Sequence, residues 1–167
     1  MLVWCKLIRH GHCGMNELVT TLMIYIMSVT GWEIPPPPRI TYVESPKEMF
    51  LLSNDCYANP DTSICTGRDD YAYNILALYN HDTKTVILHK HFSIKSIKDQ
   101  SILLHELVHH FQFYWNRAKY KNKCRGDIER EAYNIHRKWL EEKGYNFFDT
   151  IQLNGLTLLM ITTCTYY

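Results

Sequence analysis

The sequence predicts an α+β fold, with helices packed on one face of a small antiparallel sheet. Three observations carry this. Helical stretches, marked by apolar residues at i, i+3 and i+4 spacing, occur near the start of the chain and again after residue 96. Between them lie short β-rich runs, two of which flank a polar five-residue turn as a hairpin does. The order helix, strands, helices then favours helices gathered on one side of an antiparallel sheet over an alternating parallel architecture.

Residues 1–14 show no period and contain two Gly; they are expected to form an irregular leader, with 15–167 as a single domain. From Asn16 onward Leu18, Leu22, Ile26 and Val29 share a helical face, and Gly31 supplies the C-terminal stop. Pro35 to Pro38 form a stiff polyproline spacer. Ile40, Tyr42 and Glu44 alternate along a strand from Arg39 to Glu44. A short helix from Pro46 to Leu52 follows, with Ser45 as its cap. Residues 54–70 read as loop. Asn74–Tyr79 and Thr85–His89 are the arms of the hairpin. Ser96 and Asp99 have the spacing of a capping box for a helix carrying Leu104, Val108, Phe111 and Trp115 on its apolar side. Asp127 can cap a further helix in which Ile128, Ala132, Ile135 and Trp139 share a face and which ends at Gly144. A last helix starts near Asp149.

With 167 residues, 46% hydrophobic and 21% charged, the chain is long enough for one real core, and its composition is that of a folded domain. A formal net charge of +1, with Lys and Arg dispersed, argues against nucleic acid as a partner. Stable membrane insertion is not expected either: Leu18 to Trp32 is uncharged but spans only 15 residues, where a bilayer needs roughly 20. Lys6 and Arg9 precede this stretch as in a signal peptide, yet no A-x-A-like site follows, and the stretch reads better as a helix of the mature domain. Compartment and oligomeric state are not set by the sequence. Six cysteines, at 5, 13, 56, 65, 124 and 164, contain no C-x-x-C pair, which removes support for a cysteine zinc knuckle or a thioredoxin-type site. Cys56 and Cys65 can close the loop between them, Cys124 can pair with either, and free thiols in a reducing compartment account for the same residues.

The chemistry lies in His105-Glu106-Leu107-Val108-His109. On a helix the two His stand one turn apart and about 40° apart around the axis, so their imidazoles can meet at one metal ion. Glu106 points about 100° away from His105 and can reach a water at the metal without being a ligand. His110 diverges by about 100° from His109, which makes it a surface or supporting residue and not a ligand. A catalytic zinc takes three protein ligands, so one more must come from elsewhere. The run Asp127-Ile128-Glu129-Arg130-Glu131-Ala132-Tyr133 offers two carboxylates on the next helix. Helical geometry does not choose between Glu129 and Glu131, because the apolar stripe runs between them. His89 and His91 alternate along a strand and lack a third ligand; such a pair more often faces solvent.

A metzincin would carry Gly and His where this chain has Gln112 and Trp115, which excludes that class. His105 to His109 followed by Glu129-Arg130-Glu131-Ala132 instead resembles the HExxH plus ExxA pattern of small gluzincin-like zinc metallopeptidases, over the span from Ser96 to Gly144. The chain departs from that pattern at Tyr133, where the family often has Asn or Asp, and this weakens assignment to the repressor-cleaving subgroup. The resemblance implies a minimal zincin-like domain with an active-site helix and a glutamate helix. It implies Zn²⁺ held by His105, His109 and Glu129, Glu106 as general base, and a peptide or protein as substrate. It makes Ala132 the small residue where the two helices approach. Tyr133 and His136 share the face of Glu129 at i+4 and i+7, and either can donate a hydrogen bond to the oxyanion of a tetrahedral intermediate. By analogy with zincins, the strand from Thr85 to Phe92 is expected at the cleft edge, binding substrate by β-augmentation. Two other readings share the metal site: a zinc hydrolase of a non-peptide amide, and a non-catalytic zinc-binding interaction protein.

Overall fold

The structure, a computed structural model, describes residues 10–53, 76–116, 119–120 and 123–164; the side chains of 10–13, 46 and 50 are not described. In chain order its elements are α1 (His10–Thr30), β1 (Arg39–Val43), α2 (Pro46–Leu51), β2 (Ala77–Asn80), β3 (Thr85–His89), α3 (Ile97–Tyr114), α4 (Arg125–Glu142), α5 (Phe147–Ile151) and α6 (Gly155–Thr162). The α+β class is the one the sequence predicts. The 54–70 loop, Cys56 and Cys65 lie outside the described residues.

Local signals explain most boundaries. The Ser96 side chain accepts the Asp99 backbone N–H and starts α3, and Ser45 does the same for α2 through Glu48. Gly31 and Gly144 follow α1 and α4 at φ +71° and +80°, a region that costs an L side chain about 1–2 kcal/mol. α1 begins five residues before Met15, so residues 10–14 are helical and not irregular. Once a helix is nucleated, extending it through residues without Pro is cheap, even where no apolar period marks them.

The sheet differs from the expectation in direction. Its order is β1-β3-β2, with β2 antiparallel to β3 but β1 parallel to it, Arg39 opposite Thr85 and Val43 opposite His89. It is therefore mixed. β3 is the central strand, with both edges occupied, so the predicted β-augmentation by the Thr85–Phe92 strand is wrong: no free edge remains on β3 for a substrate. Sequence order reveals the hairpin partner β2, whereas β1 arrives on the other side through a long-range pairing that no local pattern encodes. Nor are the helices confined to one face. The main core joins α1, α3 and α4 to the side of the sheet bearing Ala77, Tyr79, Val86 and Leu88. Small α2 covers the opposite side, packing Met49 against Val43 and Ile87.

α3 runs through the middle of the molecule. Every residue from Leu103 to Gln112 is buried, including Glu106, three His and Gln112. His110 is one of these. It is neither a ligand nor a surface residue, and bonds through Nδ1 to the Tyr79 hydroxyl at 2.9 Å and through Nε2 to the Pro36 carbonyl at 2.8 Å. The carbonyl only accepts, so Nε2 carries the proton and Nδ1 accepts from Tyr79. His110 thereby ties the Pro35–Pro38 run and β2 to α3.

Cys124 is disulfide-bonded to Cys164, a pairing the sequence did not suggest, and the two Cα atoms are 5.8 Å apart. Gly126 makes this approach possible, since a Cβ there would lie 2.6 Å from the Thr163 carbonyl carbon. The bridge joins the start of α4 to the end of α6 across a sequence separation of 40. Cys164→Ser is expected to lower the unfolding free energy by about 2–4 kcal/mol in urea titrations, and reductant should lower that of the wild type by a similar amount. Equal stability with and without reductant would contradict a bridge in the folded protein.

Candidate metal centre

α3 and α4 pack directly against each other, with Ala132 of α4 fully buried in the main core, and Glu129, one turn before it, meets the His pair of α3. His105 Nε2 lies 3.1 Å from His109 Nε2 and 3.2 Å from Glu129 Oε2, and His109 Nε2 lies 3.5 Å from that same oxygen. Three ligand-type atoms from two helices thus form a small triangle. Zinc bonds of 2.0–2.1 Å in a tetrahedral arrangement require ligand atoms about 3.4 Å apart. The three edges match that requirement, and the donor set, two imidazoles and a carboxylate, is one zinc accepts. The second carboxylate oxygen, Glu129 Oε1, faces Arg125 Nε at 3.7 Å.

The electrostatics are those of ionisable groups forced together out of water. Burial favours the neutral form of Glu129, but His105 and His109 more than offset this and hold its carboxyl well below the usual range. Burial alone would depress His109; hydrogen bonding and charge attraction from Glu129 and Glu106 lift it to about 9. A metal ion held by these three side chains would take the place of a proton among them.

Glu106 is buried beside the triangle without joining it. Burial raises its carboxyl, and it is held by the backbone N–H of Tyr79 on β2. The sheet therefore aims the carboxylate that the sequence singles out as a base. Tyr133 places its ring 4.3 Å from that of His105. Burial and then the charges of Glu129 and Glu106 raise its phenol, so it stays protonated and able to donate. His136 is 2% exposed, 5.7 Å from the His105 ring and between Tyr133 and Phe147. Neither of its nitrogens has a partner among the described residues, and the same holds for His105 Nδ1. All six residues predicted for the site are thus gathered in one place.

Glu131 is elsewhere. Its Oε2 accepts from Gln112 Nε2 at 2.9 Å and from the Tyr120 hydroxyl at 2.8 Å. Of the two carboxylates left open by the sequence, Glu129 stands at the His pair, whereas Glu131 bonds to Gln112 and Tyr120. A groove of about 630 Å³ on the outer side of α4 is lined by Trp32, Arg130, Glu131 and Ile135 among others, and by none of the three clustered residues. Another cluster, Cys124, Asp127 and Cys164, has its two sulfurs joined to each other. The rings of His89 and His91 are tilted with centroids 5.0 Å apart near the surface, and among the described residues they belong to no such cluster.

Residues 14–167 match the family described as a domain of unknown function (DUF6647). The chain belongs to this family. No curated protein and no solved structure matches it. The DUF6647 span takes in both helices of the centre, the sheet and the disulfide.

Sequence reasoning missed two parts of this DUF6647 site. One is the Tyr79 backbone N–H, which is invisible in any residue pattern. The other is Gln112, fully buried in an otherwise apolar stretch three residues after His109, a polar residue whose burial demands partners. If the triangle holds a metal, Glu129→Ala should abolish stoichiometric zinc measured by atomic emission, whereas Glu131→Ala should retain it with weakened affinity. Full loss in Glu131→Ala alone would place the third ligand wrongly.

Proposed function

We propose that this protein is a gluzincin-like zinc metallohydrolase that cleaves peptide bonds, with His105, His109 and Glu129 as ligands. The convergence of those three side chains from an H-E-x-x-H helix and a neighbouring glutamate helix, at edges of 3.1–3.5 Å, is the observation that supports it. Zinc at such a site supplies a Lewis acid and lowers the pKa of a water towards neutrality.

The chain's own residues supply the rest. Glu106 is the general base: buried, with a raised carboxyl, it takes a proton at its carboxylate and passes it on to the departing amine. The Tyr79 N–H fixes its orientation. Tyr133, protonated and against His105, is positioned to donate to a developing oxyanion. His136, buried without a partner for either nitrogen, is the second donor in reach of the same region. Burial of the ligands excludes bulk water and strengthens each of these interactions.

One observation favours a second reading. His105, Glu106 and His109 are all under 10% exposed, as in a closed structural metal site. The two readings part on Glu106, which a structural site does not need. Glu106→Gln should keep one zinc per chain while lowering turnover of a mixed peptide library about 10²–10⁴-fold. Unchanged hydrolysis in that variant would refute the assigned base, and a zinc-loaded wild type that cleaves neither peptides nor other amides would support the structural reading.

A further inference from the structure

Gln112 is fully buried in α3, and a buried amide is costly unless each of its polar atoms is matched. Here every one is. Nε2 donates to the Ile128 carbonyl at 3.1 Å and to Glu131 Oε2 at 2.9 Å, and Oε1 faces His109 Nδ1 at 2.8 Å. We infer that Glu131, acting through Gln112, fixes the ring orientation and tautomer of His109, so that Nε2 presents its lone pair to the metal position. The inference rests on the metal reading above and adds two positioning residues that are not ligands.

Donors and acceptors fix the orientation of each group along this path. A backbone carbonyl can only accept, so the end of the Gln112 amide that faces Ile128 and Glu131 must be the NH₂ group. Its oxygen is thereby turned towards His109. An amide oxygen only accepts, so His109 Nδ1 must carry a proton. With Nδ1 keeping its proton against Gln112, the nitrogen that His109 can free for a metal is Nε2, the atom that lies 3.1 Å from His105 Nε2 and 3.5 Å from Glu129 Oε2. The chain is anchored at its far end as well: Tyr120, 2% exposed, donates its hydroxyl to the same Glu131 oxygen at 2.8 Å. Glu131 is thus held by donors on both sides, Gln112 and Tyr120. His105 has no such support, since its Nδ1 lacks a partner among the described residues. The two imidazoles are therefore unequal, with His109 set in advance.

A staple between α3 and α4 would use the same bonds, so the test needs readouts that stapling does not move. The full chain, ¹⁵N-labelled at histidine, is examined by NMR without metal and with zinc, and zinc affinity is measured by chelator competition. Wild type should show a slowly exchanging His109 Nδ1–H in both states. Gln112→Met, close in volume, should lose that proton's protection and bind zinc about 10–100-fold more weakly. Glu131→Gln, which preserves shape, should weaken zinc in the same direction by a smaller factor. Should Gln112→Met not fold, Glu131→Gln and Tyr120→Phe carry the test, and wild-type zinc affinity in both overturns the inference. So does Gln112→Met with the Nδ1–H and the zinc affinity of wild type. A wild type that protects the His109 proton but takes up no zinc refutes the metal reading, and the positioning role falls with it.

Discussion

Everything at the candidate site depends on the close crossing of α3 and α4. Ala132 of α4 is buried without residual exposure in the core that α3 and α4 share, so a longer side chain there would have to displace its neighbours. Glu129 sits one turn before it and the His pair directly opposite, so widening the gap would break the triangle. The cost of separation is not symmetric. Withdrawing the carboxylate would leave two imidazoles buried against each other without their counter-charge, a situation that typically costs 3–5 kcal/mol or more when one partner of a buried ion pair is lost. The disulfide between Cys124 and Cys164 restrains the start of α4, and the bonds of Gln112 to Ile128 and Glu131 restrain the turn that bears Glu129.

Seen from α3, the same centre explains why a helix buried along so much of its length tolerates so many polar residues. Glu106 accepts from the sheet, His109 bonds to Gln112, Gln112 to α4, and His110 to Tyr79 and Pro36. Several of these bonds reach other elements, so they also tie the sheet, the proline run and α4 to α3. His105 Nδ1 and both nitrogens of His136 lack a partner among the described residues, and the two rings stand 5.7 Å apart beside the three convergent ligand atoms.

The legible part of this architecture was local. The H-E-x-x-H spacing, the Ser96 cap, the stops at Gly31 and Gly144 and the hairpin around residues 80–84 depend on residues within a few positions of one another, and the structure carries each of them. Glu129 and Glu131 differ by two positions on a helix whose apolar stripe lies between them, so only the path of α4 across α3 could separate them. The parallel pairing of β1, the burial of His110 beneath the proline run and the union of Cys124 with Cys164 each join segments 40 or more residues apart. Gln112 lay in between: its polarity within an apolar run was a visible signal, but its partners on α4 and its effect on His109 were not.

The central claim is that two imidazoles and one carboxylate of this chain hold a zinc ion. X-ray absorption at the zinc edge of the purified protein tests it most directly. The account predicts a first shell of two nitrogens and at least one carboxylate oxygen at about 2.0–2.2 Å, with no sulfur. A shell containing sulfur at about 2.3 Å, or zinc present only in substoichiometric traces, would contradict it.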